Sequence, residues 1–272
     1  MSHLSYSQVD TLLSCGEKYR LTRVVGIPED PAWWLIGGTA VHSATEAWDR
    51  GAFDATAADL FTESFDYGLS QSSVEDLSLL RASGRATKDY PNGEDETWWR
   101  DNGPKFVQAW IDWRAANPNL QILDLNGRPA IEVSVGALTA DQVELKGFID
   151  RVFVDATTGD LLIVDLKTGR NTPPSSLQMD YYRYALQSTL GLQAHYGAYW
   201  MARQGTLSTI HHLWRSDEQI ADMLRKARIL IDNELYIPHL SILCGSCGVK
   251  QHCTAYTNLN SINNGITEEM IA

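Results

Sequence analysis

The sequence predicts an α/β protein: a mixed sheet flanked by helices, with a helical region ahead of it. Three observations carry that expectation. Residues 1–118 read mainly as helices, and from about Leu120 the texture changes to strands. The order that follows, helix, three strands, helix, strand, is that of a mixed sheet covered by helices. With 44% hydrophobic residues and nine tryptophans, the chain has enough apolar surface for a core of ordinary size.

Each element has a local reason. Ser7 followed by Asp10 reads as a capping box, and Val9, Leu12 and Leu13 have helical spacing. Cys15-Gly16 interrupts that helix, and a second short one runs from Glu17 to Val25. Gly37-Gly38 precedes a third, Thr39 to Arg50, which carries His42; residues 56–70 and 97–116 are helical as well. The polar, glycine-containing stretch 83–96 is the candidate flexible loop. Ala130 to Ala137 alternates as a half-buried strand does, and Val143–Asp155 with Asp160–Lys167 forms a hairpin turning through Thr157-Thr158-Gly159. Pro173-Pro174 opens a helix to about Leu190. Strands near 195–203 and 206–214 follow, then a helix from Asp217 to Glu234. No internal repeat is present. The expectation is one domain over 1–272: a helical part (1–118), an α/β core (119–215), a helix and cysteine-bearing segment (216–256) and a peripheral tail (257–272).

Asp165-Leu166-Lys167 ends the apolar run Leu161–Val164, and Asp165 and Lys167, two apart, share a face. Asp150 lies on the partner strand. A two-residue loop sets Asp150 opposite Lys167 and a four-residue loop sets it opposite Asp165; an odd loop would separate the three. Two carboxylates with an ammonium at a strand end suit a hard cation such as Mg²⁺ or Mn²⁺. Such an ion polarises a phosphate and activates water, beside a lysine that positions the water or steadies developing charge. The bland alternative is a surface hairpin with charges facing solvent.

The wider pattern separates the two. Gly147-Phe148-Ile149-Asp150-Arg151, then Val164-Asp165-Leu166-Lys167-Thr168-Gly169, then Gln178-x-x-x-Tyr182 resembles the RecB-like family of PD-(D/E)XK nucleases, and Gly38-Thr39-Ala40-Val41-His42 matches that family's metal-binding helix. The matching order covers residues 5 to 253. The resemblance implies a restriction-endonuclease-like sheet and a metal held by His42, Asp150, Asp165 and the Leu166 carbonyl. It also implies Lys167 as catalytic lysine, with Gln178 and Tyr182 steadying substrate or site. Glu132 alternates toward the same region, as an outer partner of the site or as a solvent-facing glutamate. Arg151 and Arg170 flank the site, within reach of phosphates or simply exposed.

The only four cysteines are Cys15, Cys244, Cys247 and Cys253. Four thiolates suit zinc or an iron–sulfur cluster. One distant cysteine with a late trio resembles the branch containing CRISPR-associated RecB-like nucleases and AddB, whose ligands bind a [4Fe–4S] cluster. The reading is therefore a cluster clasping the two ends together, with zinc as the alternative; His252, beside Cys253, is read as packing nearby, with a rival ligand as its other role. No apolar run is long enough for a membrane span and no export signal is evident, so a cytosolic protein is expected, in the host cytoplasm if phage-encoded. A net charge of −12 argues against tight non-specific DNA binding but not against processing strand ends.

The expected function is a metal-dependent exonuclease on single-stranded DNA or DNA ends, in recombination, repair or phage DNA metabolism. A nuclease trimming spacer DNA in CRISPR adaptation and an idle DNA-binding scaffold are the alternatives. The sequence has no phosphate-binding loop of a helicase, so unwinding would need a helicase or other recombination protein as partner.

Overall fold

The computed structural model describes residues 3–72, 74 and 76–257, so most of the expected tail lies outside the described residues. Its centre is a mixed sheet of seven strands: β1 (Leu120–Ile122), β2 (Ile131–Leu138), β3 (Glu144–Asp155), β4 (Leu161–Lys167), β5 (Tyr196–Met201), β6 (Thr206–Leu207) and β7 (His211–His212). The path runs β1-β3-β4-β5-β6, with β2 also paired to β3 and β7 to β5. β4 and β5 are parallel, joined through helix α6 (Leu177–Leu190), and the other pairs are antiparallel.

Both sheet faces are covered, which explains why β4 is apolar from Leu161 to Val164 before the charged residues at its end. Ile163, Tyr199 and Met201 pack with α1 (Tyr6–Ser14), α6 and α7 (Asp217–Asp232). Leu162, Val164, Leu166 and Trp200 pack against α3 (Trp33–Asp49), α4 (Ala57–Ser70) and α5 (Glu96–Ala116). Tryptophans dominate the second layer: Trp99, Trp110 and Trp200 are fully buried.

Four elements differ from expectation, and in the first two a tertiary contact overrides a local signal. The first capping box is Ser5 with Gln8, not Ser7 with Asp10. Leu4 is held at the sheet edge by hydrogen bonds to Glu144 and Lys146, so the chain can turn into the helix immediately after it. Gly37-Gly38 lies inside α3 instead of before it. A Cβ on Gly37 would stand 2.1 Å from the Trp99 ring, so this glycine lets two helices meet closely and does not break one. α6 begins at Leu177, beyond Pro173-Pro174. The helix expected over Glu17–Val25 is one α turn, α2 (Gly16–Tyr19), followed by a π turn over Arg20–Val24.

Stretch 83–96 has no regular strand but is pinned. Ser83 and Glu94 form a β-bridge, and Glu94, 3% exposed, receives both Arg203 and Arg170. The expectation of a loop was met.

Candidate active site

The hairpin register places the site. Arg151 pairs with Val164 and Val154 with Leu161, and the Asp155 N–H bonds to the Asp160 carbonyl. The loop between is therefore four residues, with Gly159 at φ +78° supplying the left-handed turn position. The same register sets Asp150 opposite Asp165. The ladder stops at Arg151, and beyond it the Leu166 N–H donates to Asp150 Oδ2 at 2.7 Å. A carboxylate thus occupies the place of a ladder bond where β3 and β4 part.

Asp165 is nearly sealed. Its Oδ1 accepts from Gln178 Nε2 (2.7 Å), and its Oδ2 pairs with Lys167 Nζ (2.6 Å). The same Gln178 amide lies 3.1 Å from the Tyr182 hydroxyl, so the i, i+4 pair on α6 acts as one unit on the carboxylate. Burial, and then the charge of Asp150, push the Asp165 carboxyl up to about 6, against the opposing pull of Lys167.

From the helical side, α3 brings His42, whose Nδ1 is 3.4 Å from Asp150 Oδ2. Glu132 lies between Ile131 and Val133, which face Arg151 and Ile149, and so comes across from Asp150. Ligand atoms of His42, Glu132 and Asp150 all lie within 4.8 Å of one another. Glu132 is no ordinary strand residue: its φ is +49°, a conformation costing about 1–3 kcal/mol for a side chain of this kind. Burial and the charge of Asp150 raise its carboxyl pKa, opposed by Arg151 and His42. Carboxylates held together at this cost of mutual repulsion, with an imidazole beside them, fit a hard divalent cation.

Of the residues expected from sequence, His42, Asp150, Asp165, Lys167, Gln178 and Tyr182 converge, and Leu166 contributes its backbone between the two aspartates. Glu132 joins them more closely than an outer role would require. Arg151 does not reach toward a substrate. It is 1% exposed and bonds Asp49 Oδ2 (2.7 Å) and the Asp150 carbonyl (2.7 Å). Trp110 Nε1 also donates to Asp49, and Arg114 approaches its other oxygen at 3.5 Å. Asp49 was missed, although it lies seven residues after His42, two turns along one helix face. Its pair with Arg151 ties the His42 helix to the Asp150 strand. Arg170 is exposed as expected but engages Glu94. Glu94 and Arg203 had no sequence signal, standing 109 residues apart.

The cysteines meet elsewhere. Cys15, Cys244, Cys247 and Cys253 line one small cavity with Lys18, His239 and Val249. Gly16 makes this possible: its N–H bonds the Ile237 carbonyl, and a Cβ there would lie 2.5 Å from Ile237 N. Arg81 Nη1 donates to the Ser246 carbonyl and Asp30 N–H to that of Gly248, holding the late segment against the early one. The lining histidine is His239, not His252, which is exposed.

Residues 3–254 match the model of the PD-(D/E)XK nuclease superfamily. The chain is 29% identical over 212 residues to the Gene 69 protein of Mycobacterium phage D29, covering 70% of this chain and 71% of that protein. It is 27% identical over 240 residues to the Gene 69 protein of Mycobacterium phage L5, covering 73% and 75%. Among the described residues, no helix is long and apolar enough to cross a membrane.

Proposed function

The chain belongs to the PD-(D/E)XK nuclease superfamily, hence to the metal-dependent nucleases, and we propose that it is an exonuclease acting on single-stranded DNA or DNA ends. The observation that carries the site assignment is the parting of β3 and β4 at two facing aspartates, with Lys167 on one and His42 and Glu132 on the other. His42, Asp150, Asp165 and the Leu166 carbonyl would hold Mg²⁺ or Mn²⁺, with Glu132 as a further carboxylate in reach. When bound, such an ion supplies Lewis-acid polarisation of a phosphodiester and activation of water. Gln178 keeps Asp165 oriented, and Tyr182 keeps Gln178 oriented. Lys167, one-third exposed, carries a positive charge at the site's open side, where it can orient water or meet developing negative charge. The phage relatives favour phage DNA metabolism in the host cytoplasm over CRISPR adaptation, and the complete set of side chains argues against an idle scaffold. Digestion of end-labelled single- and double-stranded DNA with Mg²⁺ or Mn²⁺ tests this: ladders shortening from one end are expected. Cleavage only at internal sites would replace exonuclease by endonuclease.

For the cysteines the reading is a [4Fe–4S] clasp. All four thiols line one cavity, as a single group held by all of them requires. Anaerobically prepared protein should be brown and contain about four iron atoms per chain. Stoichiometric zinc without iron would replace the cluster but keep the clasp.

A further inference from the structure

Beyond Lys167 the chain enters a second polar pocket, lined by Trp34, Gly84, Glu94, Thr168, Arg170 and Arg203 among others. It adjoins the active site through Thr168. Thr168 directly follows Lys167, and a Cβ on Gly38, one turn before His42, would lie 3.1 Å from the Thr168 hydroxyl. The charges in it do not balance. Glu94 offers one negative charge and receives two guanidinium groups: Arg203 through Nη1 and Nη2, at 2.9 Å each, and Arg170 through Nε and Nη2. Arg203 also donates to the Thr168 carbonyl and lies over the Trp98 ring, so it is committed to the fold. Arg170 is different. Its side chain is 57% exposed and both its bonds go to one oxygen from one edge of the guanidinium. The Nη1 edge has no protein partner among the described residues. Gly84, at φ +79°, backs the group so closely that a Cβ would stand 2.6 Å from Nη2.

We propose that this pocket is a phosphate subsite for the DNA strand, in which Arg170 grips a backbone phosphate adjoining the scissile one and Glu94, itself locked by Arg203, aims it. The proposal rests on the nuclease reading above and names the part of the substrate that reading leaves unassigned. The free edge of a guanidinium held along its other edge is a fork matched to two phosphate oxygens. One uncompensated positive charge beside the site also gives an acidic protein a local attraction for the strand. Trp34, partly exposed on the pocket wall, offers apolar surface for the adjoining sugar or base.

The test is cleavage of a labelled oligothymidylate in which single phosphates are replaced in turn by neutral methylphosphonate. In the wild type, one replacement next to the scissile bond should raise KM roughly tenfold, as losing a charged hydrogen-bond pair does. Arg170→Ala should raise KM of the unmodified strand by a similar factor, leave kcat within about threefold, and be indifferent to that replacement. Arg170→Lys should recover part of the loss. The slope of log affinity against log salt, measured without divalent ion, should fall by about 0.7 in Arg170→Ala. Because Arg170 is largely exposed, its removal should leave the melting temperature nearly unchanged. A wild type that cleaves DNA, with an interference pattern that Arg170→Ala leaves intact, overturns the subsite and spares the nuclease reading. A wild type that cleaves no DNA overturns both.

Discussion

The carboxylate site and the cysteine-lined cavity are built in opposite ways. Around the carboxylates the elements are helices and strands, regular except at Glu132, and the protein supplies the restraints itself: Gln178 on Asp165, Leu166 N–H on Asp150, and the buried Asp49–Arg151 pair behind them. Around the cysteines the chain between α7 and Cys253 forms only short 3₁₀ turns, Ile242–Ser246 and Lys250–His252, and leaves Ile237, Ile242 and Leu243 at least 70% exposed. The first region is a rigid frame that places repelling charges at a cost. The second has little core of its own, and a bound group would supply the stability its side chains do not. Loss of the ion should therefore abolish chemistry and spare the fold, whereas loss of the clasp should do more harm to the fold.

The largest expected effect sharpens the first half of that contrast. Asp165→Ala or Lys167→Ala should lower DNA cleavage by roughly a thousandfold or more, with circular dichroism and melting close to wild type. Near-normal turnover by either variant, free of contaminating nuclease, would remove the site assignment.

The second half is tested by Cys15→Ser. It should release the proposed cluster although Cys15 is at the far end of the chain from the other three, and lower stability by about 3–5 kcal/mol, as expected for a cross-link closing so long a loop. Unchanged iron content would mean that the late trio recruits another ligand, and the clasp would fail.

His42→Ala comes next. Removing one donor should shift the Mg²⁺ or Mn²⁺ concentration for half-maximal cleavage upward by about tenfold while barely altering the melting temperature. Superimposable metal titrations would make His42 a packing residue.

The last effect is on stability without metal. Burial and Asp150 hold the Asp165 carboxyl at about 6, above its unfolded value. The folded protein therefore binds this proton more tightly than the unfolded chain, and the group opposes folding once ionised. In EDTA, stability should fall as pH rises from about 4 through about 6, by on the order of 2–3 kcal/mol from this group. Asp165→Asn should flatten that fall in urea unfolding at pH 5 and 8. An identical pH dependence in both proteins would show that Asp165 is ionised freely in the folded state.

Sequence by itself carried the local part of this molecule. The β3–β4 hairpin and the shared face of Asp165 and Lys167 were legible because period and spacing are short-range properties of the backbone, whereas Gln178 and Tyr182 were singled out by resemblance to the family pattern. Sequence also marked the four cysteines as one set, through their resemblance to a family pattern. Tertiary structure decided what no period encodes: which of two even loops the hairpin adopts, and that Glu132 takes a left-handed conformation to face Asp150. It also turned Arg151 inward to Asp49, and joined Glu94 to Arg203 across 109 residues. The physical reason is common to these cases. A charge pair buried between layers is chosen by what else is buried there, because an unpaired ion in that place would be too costly. That information becomes available only once the sheet and its two helical layers have closed on one another.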